Sequence, residues 1–229
     1  MKILRVGKGV AYHEAGHAVA ALLCGEVIHS IKVRRKANDP IVDRHGGVAA
    51  DALGGAEVSG GFGPEASMLI PDPGLTLPLM ARALNRIFVT GAGIAAERKV
   101  AKQSRGFLSA GAEHDYEHAC YMLALFGYNR QDQYEMVDEI WEATGPLIAR
   151  GPAWQAVEAI AEAVIAGHGD DGTDLNYIGL ASLGYKPASG RVQPVYVPII
   201  MRAEYPQFEI DLAADWASID AAFATERGV

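Results

Sequence analysis

The stretch that decides the fold runs Val10-Ala-Tyr-His-Glu-Ala-Gly-His-Ala-Val-Ala-Ala-Leu-Leu-Cys24, near the start of the chain. It is rich in alanine and leucine and contains no proline, and Gly25 follows it. Because such residues favour helix and glycine commonly ends one, the stretch predicts an α-helix that stops at Gly25. Apolar residues cover most sides of this helix, which indicates that it is buried.

Within the helix, His13-Glu14-Ala15-Gly16-His17 matches the pattern His-Glu-x-x-His. Residues four apart lie on the same face of a helix, so His13 and His17 can both direct an imidazole at one zinc ion. Glu14 then lies beside the metal, where it can take a proton from a water that the zinc activates. The alternative is a helix with two hydrogen-bonded core histidines, but burying them without a cation is costly. The pattern therefore predicts zinc and hydrolysis, with a peptide bond as the expected substrate.

Four phrases of the chain resemble, in the same order, phrases of the FtsH-type ATP-dependent zinc peptidases. They are the helix Val10–Ala20, the strand Val27–Val33, the phrase Gly91–Glu97 and the phrase Ser109–Asp115. With weaker helical similarity after them, the resemblance spans about residues 8–184. It implies an FtsH-like peptidase domain, mainly α with a small β-sheet and with the His-Glu-x-x-His helix at its active site.

The third metal ligand does not follow from the residues alone. The resemblance implies Asp115, because the metal-binding aspartate of the family occupies that place in its phrase. From the residues alone, a carboxylate near a helix start is better explained as a cap or a partner of the helix dipole. His118, one turn from Asp115, is the second choice; His114 and the downstream Glu97 are further alternatives. Catalytic zinc needs three protein ligands and one open position. The predicted ligand set is His13, His17 and Asp115.

Composition limits the class of protein. The 229 residues are 50% hydrophobic and 21% charged, which is an ordinary globular balance, and the net charge is −8. An acidic chain argues against nucleic-acid binding. The two cysteines, Cys24 and Cys120, are too few for a disulfide framework and are expected to be buried thiols. The chain shows neither a secretory signal nor an apolar run long enough for a membrane, so a cytoplasmic location is expected.

The chain is predicted to have two parts. Residues 1–185 form the metallopeptidase-like domain, and residues 186–229 form an extended connection and a C-terminal helix that packs on the body or on another subunit. Inside the domain, residues 26–34 form a strand, and residues 46–48 re-enter the same sheet. The segment 28–33 could present an edge to an extended peptide or be an ordinary core strand, and the sequence favours neither. Residues 51–78 read as a long loop. Helices are expected at 79–102, interrupted near Gly91 and Gly93, and at 112–126, 131–149, 154–166 and 174–183.

Three functions are compatible with these patterns. The first is a soluble zinc endopeptidase that hydrolyses unfolded or flexible polypeptides, with Glu14 as general base. The chain contains no Gly-x-x-x-x-Gly-Lys-Ser/Thr phosphate loop, so the ATPase module that the resemblance implies is missing. A separate ATPase or a homo-oligomer is therefore an expected partner. The second function is a non-proteolytic zinc-containing module that binds peptides, although the intact Glu14 favours activity. The third is a zinc hydrolase of a non-peptide amide.

Overall fold

A single buried helix, α1 (Lys8–Leu23), carries the His-Glu-x-x-His residues and lies at the centre of the structure. Every residue from Ala11 to Leu22 is buried, because three of the other described helices and a small sheet pack against α1. Small side chains allow this close packing. A Cβ added to Gly16 would lie 2.4 Å from the carbonyl oxygen of Ala92, so the neighbouring helix approaches α1 backbone to backbone.

The computed structural model describes residues 7–34, 40–42, 48–49, 53–58, 76–101, 110–170 and 172–184. The further helices are α2 (Thr76–Ala101), α3 (Ala110–Leu125), α4 (Arg130–Ile148), α5 (Gly151–Ala166) and α6 (Gly172–Ser182). The strands are β1 (Ile28–Val33), β2 (Ile41–Val42), β3 (Val48–Ala49) and β4 (Gly54–Val58). The predicted fold class, mainly α with a small β-sheet, is confirmed. The proposed second part, residues 186–229, lies outside the described residues.

Strand β1 is enclosed on both sides. It pairs antiparallel with β4, with Ile31 opposite Ala56. On its other side, the Ile31 N–H donates to the Gly169 carbonyl at 2.7 Å, and the Asn176 amide bonds both the N–H and the carbonyl of Ile28 at 2.9 and 2.7 Å. Of the two alternatives for this strand, the structure favours the ordinary core strand, because α6 and the turn before it occupy the second edge of β1.

Two further expectations about the sheet are corrected. Residues 51–78 are not one long loop, because β4 forms at 54–58 and α2 begins at Thr76. Residues 48–49 do not re-enter the sheet of β1. They form β3, which pairs with β2 in a separate antiparallel ladder, Ile41 with Ala49 and Val42 with Val48. The strand that joins β1 comes later in the chain, in a glycine-rich stretch with little intrinsic preference for a strand.

Helix α2 runs without interruption through Gly91 and Gly93, where a break was expected. Both glycines are required by close neighbours. A Cβ on Gly91 would lie 2.6 Å from Cδ1 of Trp141, and one on Gly93 would lie 2.4 Å from Cε1 of His17. A glycine inside a helical pattern commonly marks such a contact rather than an end of the helix.

Two hydrophobic clusters share α2. One joins α1, β1, α5 and α6 to the Val89 side of α2, and the other packs α3 and α4 against the Ile87 side. Helix α4 begins at an Asn129 cap whose side chain accepts from the N–H groups of Gln131 and Asp132, and α5 ends at Gly167 with φ 108°. The two clusters hold α1 and α3 on α2, and this arrangement positions the candidate site.

Candidate metal centre

Three side chains from two helices converge at the candidate site. His13 and His17 come from α1, and Asp115 comes from the second turn of α3. The Nε2 atoms of the two histidines are 2.9 Å apart, and Oδ2 of Asp115 lies 3.0 Å from the first and 3.2 Å from the second. The three residues form a group whose ligand atoms could hold one metal ion.

The outer nitrogens of both imidazoles are held by acceptors. Nδ1–H of His13 donates to Oε2 of Glu97 at 3.1 Å, and Nδ1–H of His17 donates to the Val89 carbonyl at 2.7 Å. A metal-ligating histidine characteristically donates its other ring N–H in this way. When both rings are neutral and Nδ1 is protonated, each Nε2 carries a lone pair that can bind a metal.

The three inward atoms are then all acceptors. Two imidazole lone pairs and a carboxylate oxygen lie within 3.2 Å of one another, and such an arrangement is repulsive without a cation. Ligand distances of about 2.0–2.1 Å around a tetrahedral zinc place neighbouring ligand atoms about 3.3 Å apart. The observed separations fit that geometry after a small outward adjustment.

Protons compete with a metal for these acceptors. Burial lowers the pKa of His13, but hydrogen bonds to Asp115 and Glu97 outweigh burial and raise that pKa to about 10. Burial likewise raises the pKa of Asp115, but the charge of His17 and the bond to His13 bring the pKa well below its ordinary range. Metal binding therefore displaces a proton from the site and is favoured as pH rises.

Glu14 lies beneath strand β4. The side chain is 6% exposed, and the carboxylate accepts a hydrogen bond from the backbone N–H of Ala56. Burial raises its pKa, although the two histidines oppose that effect. A Cβ on Gly54 would lie 2.6 Å from Oε1 of Glu14, so this glycine lets β4 approach the carboxylate. Neither Gly54 nor Ala56 was identified from the sequence, since both fall in the stretch interpreted as a loop.

The residues considered as alternatives to Asp115 lie outside the three-residue group. Glu97 contacts His13 from the outer side and is not part of the three-residue group. His118 is half-buried one turn beyond Asp115, and burial followed by the nearby charge of Arg86 lowers its pKa. His114 is exposed. Cys120 is buried and free, as expected, whereas Cys24 is half-buried.

No model of a protein family matches the chain, and neither does any curated protein or any solved structure. Within the described residues, no helix is both long and apolar enough to cross a membrane.

Proposed function

We propose that this chain is a zinc-dependent endopeptidase related to the FtsH-type peptidases. The supporting observation is the convergence of three potential ligand atoms, from His13, His17 and Asp115, with each imidazole hydrogen-bonded through its outer nitrogen. Two imidazoles and one carboxylate are a common ligand set for catalytic zinc and leave a fourth position open.

The residues of the chain have distinct tasks in the proposed reaction. A bound zinc supplies Lewis acidity, which polarises the scissile carbonyl and acidifies the attacking water. Glu14 follows His13 directly in α1 and lies within electrostatic reach of both histidines and of Asp115. Its carboxylate accepts the proton of the attacking water and returns a proton to the leaving amine. Burial raises the pKa of Glu14, and this is the direction that favours a group that accepts a proton.

Strand β4 is the proposed guide for the substrate. It is bonded to β1 along one side, and Ala56 turns its N–H from the opposite side toward Glu14. An extended polypeptide that pairs with this outer side passes next to the general base. Backbone pairing of this kind reads little sequence and requires an unfolded or flexible segment. The proposed substrates are therefore unfolded or flexible polypeptides.

Replacement of Glu14 tests the proposal. The variant Glu14→Gln is expected to bind zinc as the parent does, because the ligands are unchanged, and to lose cleavage of casein. The matched control Glu139→Gln alters an exposed glutamate of α4 and is expected to keep both properties. Zinc content and casein fragments are measured on the same preparations, with chelator-treated protein as the blank. Casein cleavage by Glu14→Gln at the parental rate would contradict the role of Glu14 as general base.

A further inference from the structure

A second polar cluster lies where α1 ends. Gly25, with φ 80°, turns the chain, and the Glu26 N–H then closes the helix by donating to the Ala21 carbonyl at 2.9 Å. The Glu26 side chain turns inward and is only 7% exposed. It faces two arginines of α2, Arg82, which is 6% exposed, and Arg86.

The Glu26–Arg86 pair leaves several buried polar atoms of the two side chains without a hydrogen bond. Nη1 of Arg86 lies 3.8 Å from Oε2 of Glu26, which is too long for a hydrogen bond. Among the described residues, none accepts a hydrogen bond from the buried Nε or Nη1 of Arg86, and none donates one to the buried Oε2 of Glu26. Buried donors and acceptors of this kind are usually satisfied by a bound water or ion.

An anion fits this cluster better than water does. A guanidinium is permanently charged and offers only donors, and its preferred ligands are oxyanions. Water could accept one of the bonds, but it would leave Glu26, at 3.8 Å and without a hydrogen bond, as the partner of the positive charge of Arg86. We propose that Arg86 and Glu26 form a binding site for a small oxyanion, of carboxylate or phosphate chemistry, at the C-terminal end of α1.

The protonation of Glu26 supports this assignment. Burial raises the pKa of Glu26 to about 7, although Arg86 and Arg82 oppose the effect. Near and below neutral pH, much of Glu26 is therefore a carboxylic acid, which can donate a hydrogen bond to an anion instead of repelling it. The other titratable groups nearby are Cys24, whose pKa burial raises well above its ordinary value, and His118, whose pKa is lowered.

The site is separate from the three-ligand group but close to it. On α2, Arg86 lies one helical turn before Val89, whose carbonyl accepts from His17. An anion on the metal itself must therefore be distinguished from one at Arg86. The anion proposal can be tested independently of the zinc proposal, because anion binding at Arg86 requires neither zinc nor catalysis.

Thermal unfolding of the full chain tests the anion proposal. Sodium phosphate and sodium acetate are each titrated against sodium chloride at constant ionic strength, with and without chelator. At about ten times the dissociation constant, a ligand of the folded state is expected to raise Tm by about 4 °C for a chain of this size. A rise with both salts indicates general oxyanion binding, and a rise with one identifies the preferred anion.

Two variants localise the effect. Arg86→Met is expected to lose the rise in Tm that the anion causes. Arg150→Met, which alters an exposed arginine, is expected to keep that rise. In acetate, Glu26→Gln is expected to keep the rise from pH 6 to pH 8.5, while the parent loses part of it above pH 7. The proposal is overturned if the parent shows no rise, if Arg86→Met keeps it, or if chelation abolishes it. A second comparison does not require Arg86→Met. If the rise in Tm in acetate depends on pH in the same way in the parent and in Glu26→Gln, the anion proposal is also overturned.

Discussion

At His13 and His17, the two nitrogens of each imidazole have different tasks. Nδ1 donates outward to a protein acceptor, and Nε2 points inward at the shared centre. The outward bonds select the tautomer of the neutral ring, and that tautomer leaves the lone pair on Nε2. Glu97 and the Val89 carbonyl therefore matter to the candidate metal centre as much as the three inward ligands do.

The role of Glu97 can be tested at the level of this single residue. Glu97→Ala removes the acceptor for Nδ1–H of His13 and is expected to weaken zinc binding about 10- to 100-fold. The control Glu139→Ala, on an exposed face of α4, is expected to leave zinc affinity unchanged. Competition with a chromophoric chelator measures both. Equal affinities in the two variants would show that Glu97 does not orient His13.

The residues of the site differ in how far the sequence could predict them. The spacing of His13 and His17 places them on one face of a helix, so local geometry alone predicted that pair. Asp115 is about a hundred residues away, and only its place in a family-like phrase indicated it. The Val89 contact could not be predicted, because it uses a backbone carbonyl and any residue type can supply one.

At the scale of elements, the contact between α1 and α2 determines whether His17 can reach the centre. Gly93 faces the His17 ring so closely that no Cβ fits between them. Helical periodicity predicted both helices but could not show which positions touch, so the glycine was interpreted as a break. Strand β4 was missed for a related reason. Its partner β1 is remote in sequence, and its residues Gly54–Val58 include two glycines, which strands generally disfavour.

Gly93→Ala tests the helix contact. The new methyl group would overlap Cε1 of His17, so the ring must move, and zinc affinity is expected to fall about tenfold or more. Gly145→Ala is the control, since it makes the same change in α4, where no atom of the described residues lies within 4 Å of the added Cβ. Zinc titration of both variants, after circular dichroism has shown that they fold, gives the comparison. Parental affinity in Gly93→Ala would contradict the packing described.

Strand β4 offers a second matched pair. Gly54→Ala places a methyl group against the Glu14 carboxylate, whereas Gly55→Ala meets only Cγ2 of Ile41 at 3.8 Å. Because displacing a catalytic group by about 1 Å can cost about 100-fold in rate, we expect Gly54→Ala to lower casein cleavage by about that factor. Zinc content should be unchanged. A similar loss of activity in both variants would indicate a general effect on the strand.

At the scale of the whole molecule, stability should depend on pH through buried Glu26. Its pKa is raised from 4.5 to about 7 in the folded chain, mainly by burial. The folded state therefore binds more protons than the unfolded state between these values, and stability falls as pH rises through this window. At about 1.4 kcal/mol per pH unit, the loss reaches about 3 kcal/mol by pH 7.

The variant Glu26→Gln isolates this contribution. The free energy of unfolding, measured by urea denaturation from pH 4.5 to pH 8, is expected to decline less steeply in Glu26→Gln than in the parent. The difference between the two proteins should grow across the window and level off above about pH 7. Parallel curves would mean that Glu26 titrates normally in the folded chain.

Equilibrium dialysis of the full chain against zinc tests whether His13, His17 and Asp115 form a metal centre. One zinc per chain is expected in the parent and in Glu14→Gln, and a large loss in Asp115→Ala. The exposed neighbour in His114→Ala serves as the control and should keep its zinc. A parent that binds no zinc, or an Asp115→Ala variant that binds it as tightly as the parent, would contradict the metal centre proposed for His13, His17 and Asp115.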